Sequence, residues 1–438
     1  MARTVAVIGG GISGLASAFR LVQRGEHVTL YEGEDFLGGL GTTFPYRGGH
    51  LERFYHCVLP DDGALIQLIR ELGLEPELMW RPTAMGFMYQ RKIFPMNTAL
   101  DLLRFSPLTF GERIRMGWMG LRARALGMHA SLDDISAADW IRGMIGQRAF
   151  DILWKPLLSA KIGDHYPALP ALWLSSRMSR EKSSQQEVKG CLKRGYRSLI
   201  DAFETALRER GTTIRFRTRI RAIGREAGSM RVILDDGSHQ SFDAVVSTSP
   251  LIQFQRMTEG LGLDRRLTDL QLDYQGVVSG VFLTRRSFTR YYWMPWVDSG
   301  VTAQGAIEMS NLVPLERSGG LYVNYLVNYT HRDSELFRRG DAETLSTYRA
   351  DLARLFPEAE REVVDQFLFR APFVEPIWTV GYQSLRPAPS VIPGRLYLAC
   401  TAQVYPRVNS WNSCCEVVHE MMQHYAAETS GAGAGAAA

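Results

Sequence analysis

The sequence predicts an α/β protein organised around a Rossmann-like dinucleotide-binding unit. Three observations predict it. The chain opens with a short apolar run, Val5 to Ile8, of the kind a strand buried on both faces needs. That run leads into Gly9-Gly-Gly11-Ile-Ser-Gly14, a GxGxxG turn, and then a helical pattern with Leu15, Ala18, Phe19 and Val22 on one face. A second apolar run, His27 to Tyr31, ends on the acid Glu32.

Each glycine has a physical task. Gly9 makes the tight turn, Gly11 lets backbone approach a pyrophosphate, and Gly14 lets the helix pack on the strand. The helix start at Ile12 and Ser13 then faces the phosphates with free N–H groups and the positive end of its dipole. Glu32 is placed to accept from ribose hydroxyls.

Composition narrows the rest. The 438 residues are 45% hydrophobic and 22% charged, which excludes a disordered chain, a fibre and a small disulfide scaffold. The formal charge is only +4, so nucleic acid is not the expected partner. Five cysteines, at 57, 191, 400, 414 and 415, form no CxxC pair, which fits a reduced compartment without a zinc site. The opening residues have no hydrophobic signal core, and no run of about 18 apolar residues exists. The expectation is a cytoplasmic soluble protein, with peripheral membrane contact left open.

A second glycine cluster, Gly38-Gly39-Leu40-Gly41-Thr42-Thr43, follows Glu32. A nicotinamide enzyme has no need of it. Over residues 5–43 this two-part pattern resembles the N-terminus of the flavin amine oxidase superfamily. That group includes monoamine oxidases, protoporphyrinogen oxidase, phytoene desaturases and, more distantly, UDP-galactopyranose mutase. Leu40 stands where many members carry Arg. The resemblance implies FAD, held by Gly9, Gly11, Ile12, Ser13, Gly14, Glu32, Gly38, Gly39, Gly41 and Thr42, with a strand near Ile220 passing the adenine. It also implies a final strand, loop and helix that meet the flavin ring, here Leu398 to Asn412, with Thr401 and Asn412 as contacts. The usual Ala-Gly-Asp after that strand is Ala399-Cys400-Thr401, and Ser410-Trp411 replaces a common glycine before the helix.

Further elements read in order. Residues 63–73 form a short helix. Residues 81–128 are amphipathic and carry eight basic side chains (Arg81, Arg91, Lys92, Arg104, Arg113, Arg115, Arg122 and Arg124) against Asp101 and Glu112. That stretch reads either as a membrane-surface face or as a solvated helix face. Residues 180–189 read as an exposed loop. A helix over 198–210 precedes an alternating strand, Thr213 to Ile223, a hairpin over 231–242, and a buried strand at 243–250. Strands at 277–283, 304–309 and 321–329 suggest a second sheet, followed by a helix over 342–356. Residues 430–438 are Gly/Ala-rich and read as a disordered tail. Together with the resemblance, these elements give a discontinuous Rossmann-like FAD-binding domain (1–80, 190–275, 371–429). An α+β substrate domain made of two insertions (81–189, 276–370) roofs the flavin.

The chemistry follows from the same resemblance. Many amine oxidases place a lysine on a substrate-domain strand. The equivalent strand here, Gln275 to Leu283, has none, and Lys193 is the last lysine in the chain. A dehydrogenase or desaturase acting on an apolar or lipid-linked small molecule is expected, with non-covalent FAD as hydride acceptor. The alternative is a non-redox flavin mutase acting on a nucleotide- or lipid-linked sugar, whose diphosphate the arginine-rich stretch would hold. His56 is the candidate acid/base, since imidazole titrates near neutrality. Arg53, Trp378, Tyr382, Tyr405 and Trp411 are the candidate substrate contacts, Arg53 for a substrate anion or alternatively a flavin phosphate, the aromatics because ligand pockets are mostly apolar.

Overall fold

A computed structural model describes residues 2–180 and 187–430. Its central feature is a six-stranded sheet ordered Ser390–Ile392, Leu396–Leu398, Ala244–Ser247, Thr4–Ile8, His27–Tyr31, Thr213–Arg215. All pairings are parallel except the edge pair of Ser390–Ile392 with Leu396–Leu398. Val5 to Ile8 is fully buried, as the unbroken apolar run requires. The opening helix Ile12–Gln23 and the terminal helix Trp411–Ser430 pack together with helix Tyr196–Glu209 beside them.

The second sheet has seven strands in the order Val363–Pro376, Tyr274–Thr284, Tyr322–His331, Gly305–Glu308, Trp293–Val297, Gly86–Tyr89, Lys92–Pro95. The three strands read from sequence are present. Trp293–Val297, Val363–Pro376 and the hairpin Gly86–Tyr89/Lys92–Pro95 were not anticipated. The hairpin hides because Gln90 and Arg91, at its tip, turn through positive φ without a glycine.

Several expectations need correction. The alternating run Thr213 to Ile223 is not one strand. It breaks at Arg217 (φ 51°), whose amide donates to the Glu34 carbonyl while that of Thr218 donates to Glu32. Thr213–Arg215 thus joins the parallel sheet, and Ile220–Glu226 joins a separate three-stranded one. Val188–Leu192 is a strand paired with Leu78–Pro82 rather than part of a loop; 181–186 lie outside the described residues. Ser430 ends the terminal helix instead of opening a disordered tail, and 431–438 also lie outside. Four strands run across the expected boundaries at 81, 190, 276 and 371.

Candidate active site

The two glycine clusters meet back to back. Gly9 takes φ +102°, and its amide donates to the Tyr31 carbonyl. A Cβ on Gly14 would lie 1.8 Å from the Gly9 carbonyl oxygen, so only glycine permits this helix–turn approach. The Gly38 amide (φ +115°) donates to the Gly10 carbonyl at 2.9 Å, and a Cβ on Gly39 would sit 3.1 Å from Gly11 Cα. Gly11 caps the opening helix without a side chain, so the first-turn N–H groups at Ile12 and Ser13 are not taken by a capping oxygen. Glu32 accepts from the amides of Gly10 (2.7 Å) and Glu34 (2.9 Å), which fixes its carboxylate at the end of the second strand. Each oxygen keeps a lone pair for a sugar hydroxyl. Ile220 starts its strand half-buried, two residues beyond the Thr218–Glu32 contact.

The far end of the chain closes on the second cluster. A Cβ on Gly41 would lie 2.0 Å from Cζ2 of Trp411. The Trp411 ring also meets Tyr196 edge-on (4.6 Å between centroids) and His56 (5.5 Å). Buried Thr42 gives its carbonyl to the Arg53 amide. Thr401 opens a single turn that starts from Cys400, whose amide donates to the Gln403 side chain. Asn412 is spent on structure: Oδ1 accepts from the Leu65 amide (3.1 Å) and Nδ2 donates to Glu416 (2.8 Å). Its side chain ties the terminal helix to helix Gly63–Glu71.

His56 donates from Nδ1 to the Phe54 carbonyl (2.9 Å), which leaves Nε2 as an acceptor. Burial holds its pKa below the ordinary value, so the neutral imidazole prevails at pH 7. The Arg53 guanidinium stacks over Phe36 (4.9 Å) and Phe369 (5.5 Å). Its buried Nε has no partner among the described residues.

Three expected substrate contacts are not pocket walls. Trp378, Tyr382 and Tyr405 are fully buried and pack on one another at 5.3–6.5 Å. The Tyr382 hydroxyl donates to the Ala402 carbonyl (2.9 Å), and that of Tyr405 donates to Asp133. Asp133 also accepts from the Gln383 amide. The two tyrosine tips thus have partners inside the protein, whereas the buried Trp378 Nε1 has none among the described residues.

Sequence reasoning missed a polar cluster that includes Tyr55, the chain neighbour of His56. Lys161, on helix Lys155–Ile162, pairs with buried Glu375 at 3.0 Å and lies 4.1 Å from the Tyr329 ring centre. The Tyr329 and Tyr55 hydroxyls are 2.7 Å apart. Burial pushes Tyr329 up to about 12 and Tyr55 well above its usual value, so both stay protonated. Glu375 Oε1 and its cross-strand neighbour Gln275 Oε1 are buried acceptors without partners among the described residues. Asn409 Nδ2 donates to the Val374 carbonyl (2.5 Å), joining this strand to the loop before the terminal helix. The adjacency of Tyr55 to His56 was the one available signal. Nothing local marks Lys161 or Glu375, which lie 214 positions apart.

The thiols are inert in this setting. Burial pushes Cys400 up to about 12 and Cys414 up to about 11, so none of the pair is a thiolate near neutrality.

Comparison with known proteins fits this geometry. Residues 12–407 match the family of flavin-containing amine oxidoreductases, and the chain belongs to that family. FAD is the cofactor of this class, and the glycine cradle and Glu32 fit its dinucleotide half. Coproporphyrinogen III oxidase of Staphylococcus aureus (strain NCTC 8325 / PS 47) is 23% identical over 290 residues, 57% of this chain and 61% of that protein. A probable zeta-carotene desaturase of Synechococcus elongatus is 26% identical over 185 residues, 36% of this chain and 37% of the relative. The chain therefore aligns with less than two thirds of these relatives' lengths. Among solved structures, putrescine oxidase bound to putrescine superposes with a TM-score of 0.73 at 18% identity, covering 98% of this chain and 99% of that one. A fatty acid isomerase from P. acnes that produces CLA superposes with a TM-score of 0.70 at 14% identity, covering 96% and 98%. Both superpositions show the shared fold.

Proposed function

We propose that the protein is an FAD-dependent oxidoreductase of the dehydrogenase or desaturase type, with non-covalent FAD and an apolar or lipid-linked small-molecule substrate. The observation that carries this reading is the junction of the two glycine clusters with Trp411 closing on Gly41, which brings the start of the chain and its last helix together. Bound FAD supplies hydride acceptance. In this proposal the FAD-binding domain is built around residues 1–80, 190–275 and 371–429 and the substrate domain around 81–189 and 276–370, each bound moving to the end of the strand that crosses it.

This chain's residues then have distinct tasks. First-turn amides at Ile12 and Ser13 receive the diphosphate, Glu32 the ribose, and Arg53 a negative oxygen of the cofactor. Trp411, Tyr196 and His56 form the aromatic wall. His56 Nε2 is the acceptor for a substrate proton. The Tyr55–Tyr329–Lys161–Glu375 cluster orients the polar end of the substrate. Its unsatisfied carboxylate and amide oxygens call for a hydroxyl or N–H donor. Peripheral contact with a lipid surface belongs to this reading.

The alternative, a non-redox flavin mutase acting on a nucleotide- or lipid-linked sugar, would need its diphosphate held by other members of the arginine-rich stretch than Arg113, whose guanidinium donates to the Leu103 and Leu108 carbonyls.

The test is the absorption spectrum of the purified protein, with mass analysis of what denaturation releases. The reading expects a yellow protein releasing FAD that bleaches anaerobically with a reducing substrate. A colourless protein, or turnover that needs dithionite and consumes no oxidant, overturns it.

A further inference from the structure

Helix Phe110–Leu126 is apolar on two opposite faces. Met116, Met119 and Ala123 face inward and are buried. Phe110, Ile114, Trp118 and Leu121 face outward and are 68%, 50%, 61% and 60% exposed. At 3.6 residues per turn these four fall within an arc of about 80°. The adjoining helix Ala99–Arg104 adds exposed Leu100 and Leu103. A soluble surface does not ordinarily carry so many large apolar side chains in one row.

The rim of that row is basic. Exposed Arg115 and Arg122 border it on one side and exposed Arg124 on the other, with exposed Arg104 near its start. The helix's one acid, Glu112, is buried and paired with Arg148. Apolar centre and cationic borders match an interface whose outer layer is anionic and whose next layer is hydrocarbon. A second copy of this chain is a poorer occupant. An isologous contact through this row would set arginine rims against each other.

We infer that the face Phe110–Ile114–Trp118–Leu121 docks on an anionic lipid bilayer, with the helix lying in the membrane plane. The apolar row enters the boundary between headgroups and acyl chains, and Arg115 and Arg122 meet lipid phosphates. The chain docks without crossing: no helix among the described residues is long and apolar enough to span a membrane. This deepens the proposed lipid contact and does not depend on the flavin chemistry.

The test uses the full chain with its flavin, sedimented with vesicles of phosphatidylcholine alone or mixed with phosphatidylglycerol, without substrate. Flavin content is read separately from the spectrum, so a failed flavin assignment and a failed docking face are told apart. The expected result is binding to mixed vesicles that weakens with salt and is much lower on phosphatidylcholine alone. Arg115→Gln with Arg122→Gln should lose roughly 25-fold in partitioning, about fivefold per arginine. Trp118→Glu should lose at least as much, with flavin content and melting temperature unchanged. Phe110→Ser repeats the test on a second apolar position should Trp118→Glu lower the melting temperature. Absence of binding to mixed vesicles overturns the inference. So does binding that survives all the substitutions, or a dimer that Trp118→Glu splits in a protein that ignores vesicles.

Discussion

The indole of Trp411 rests on the bare backbone of Gly41, joining the last helix to the second glycine cluster across 370 residues of sequence. No β-carbon fits at Gly41, because the ring is held from its other sides by Tyr196 and His56. Gly41→Ala should therefore lose bound flavin and about 1–3 kcal/mol of stability, the usual cost of overpacking. Gly41→Ala combined with Trp411→Leu should regain both. Flavin absorbance per chain and urea unfolding measure this. A Gly41→Ala protein with full flavin content would mean that the ring has room to move.

The legible part of this site is the part whose chemistry is local. Gly9, Gly14 and Gly38 announce themselves because backbone geometry at each position admits no other residue. Trp378, Tyr382 and Tyr405 were misread for the opposite reason. Proximity to the flavin-facing segment does not say which way an aromatic points. Asp133, 272 positions from Tyr405, settles it by taking the hydroxyl. The Lys161–Glu375 pair was invisible because it forms only when a helix of one insertion packs against a strand of the second sheet.

That pair makes a prediction of its own. Glu375 is buried and Lys161 partly buried, so Lys161→Met strands a buried carboxylate and should cost up to about 3–5 kcal/mol. Lys161→Met with Glu375→Gln removes both charges and should recover most of the loss. If the cluster orients substrate, the double variant should remain folded and flavin-loaded while KM rises. A single variant as stable as the parent would show that water screens the pair.

Arg53 offers a direct reading of the cofactor side. Its guanidinium is sandwiched over Phe36 and Phe369, and its Nε lacks a protein acceptor among the described residues. Its amide donates to the Thr42 carbonyl at the end of the second glycine cluster, which makes Arg53 the proposed partner of the cofactor diphosphate. Arg53→Met should weaken FAD binding by roughly 10- to 100-fold, the worth of a charge-assisted hydrogen bond. Titrating apoprotein with FAD and following flavin fluorescence gives the constant. An unchanged constant with altered kinetics would move Arg53 to the substrate.

Glu308 gives a pH signature independent of the flavin. It lies wholly buried on strand Gly305–Glu308, where Oε2 accepts from the Thr289 amide (2.7 Å) and Oε1 has no partner among the described residues. Burial pushes its pKa up to about 7. The folded protein therefore holds this proton more tightly than the unfolded chain, whose carboxyl titrates near the ordinary value of about 4.3. Its contribution is fully present below that value and is lost as pH rises to about 7, after which the penalty is constant. Glu308→Gln keeps the acceptor for Thr289 and cannot ionise. It should match the parent near pH 4 and exceed it by about 3 kcal/mol at pH 8, with the gap opening between those limits. Urea unfolding of both proteins across that range measures the gap. A difference independent of pH would mean that Glu308 enters the folded state already charged.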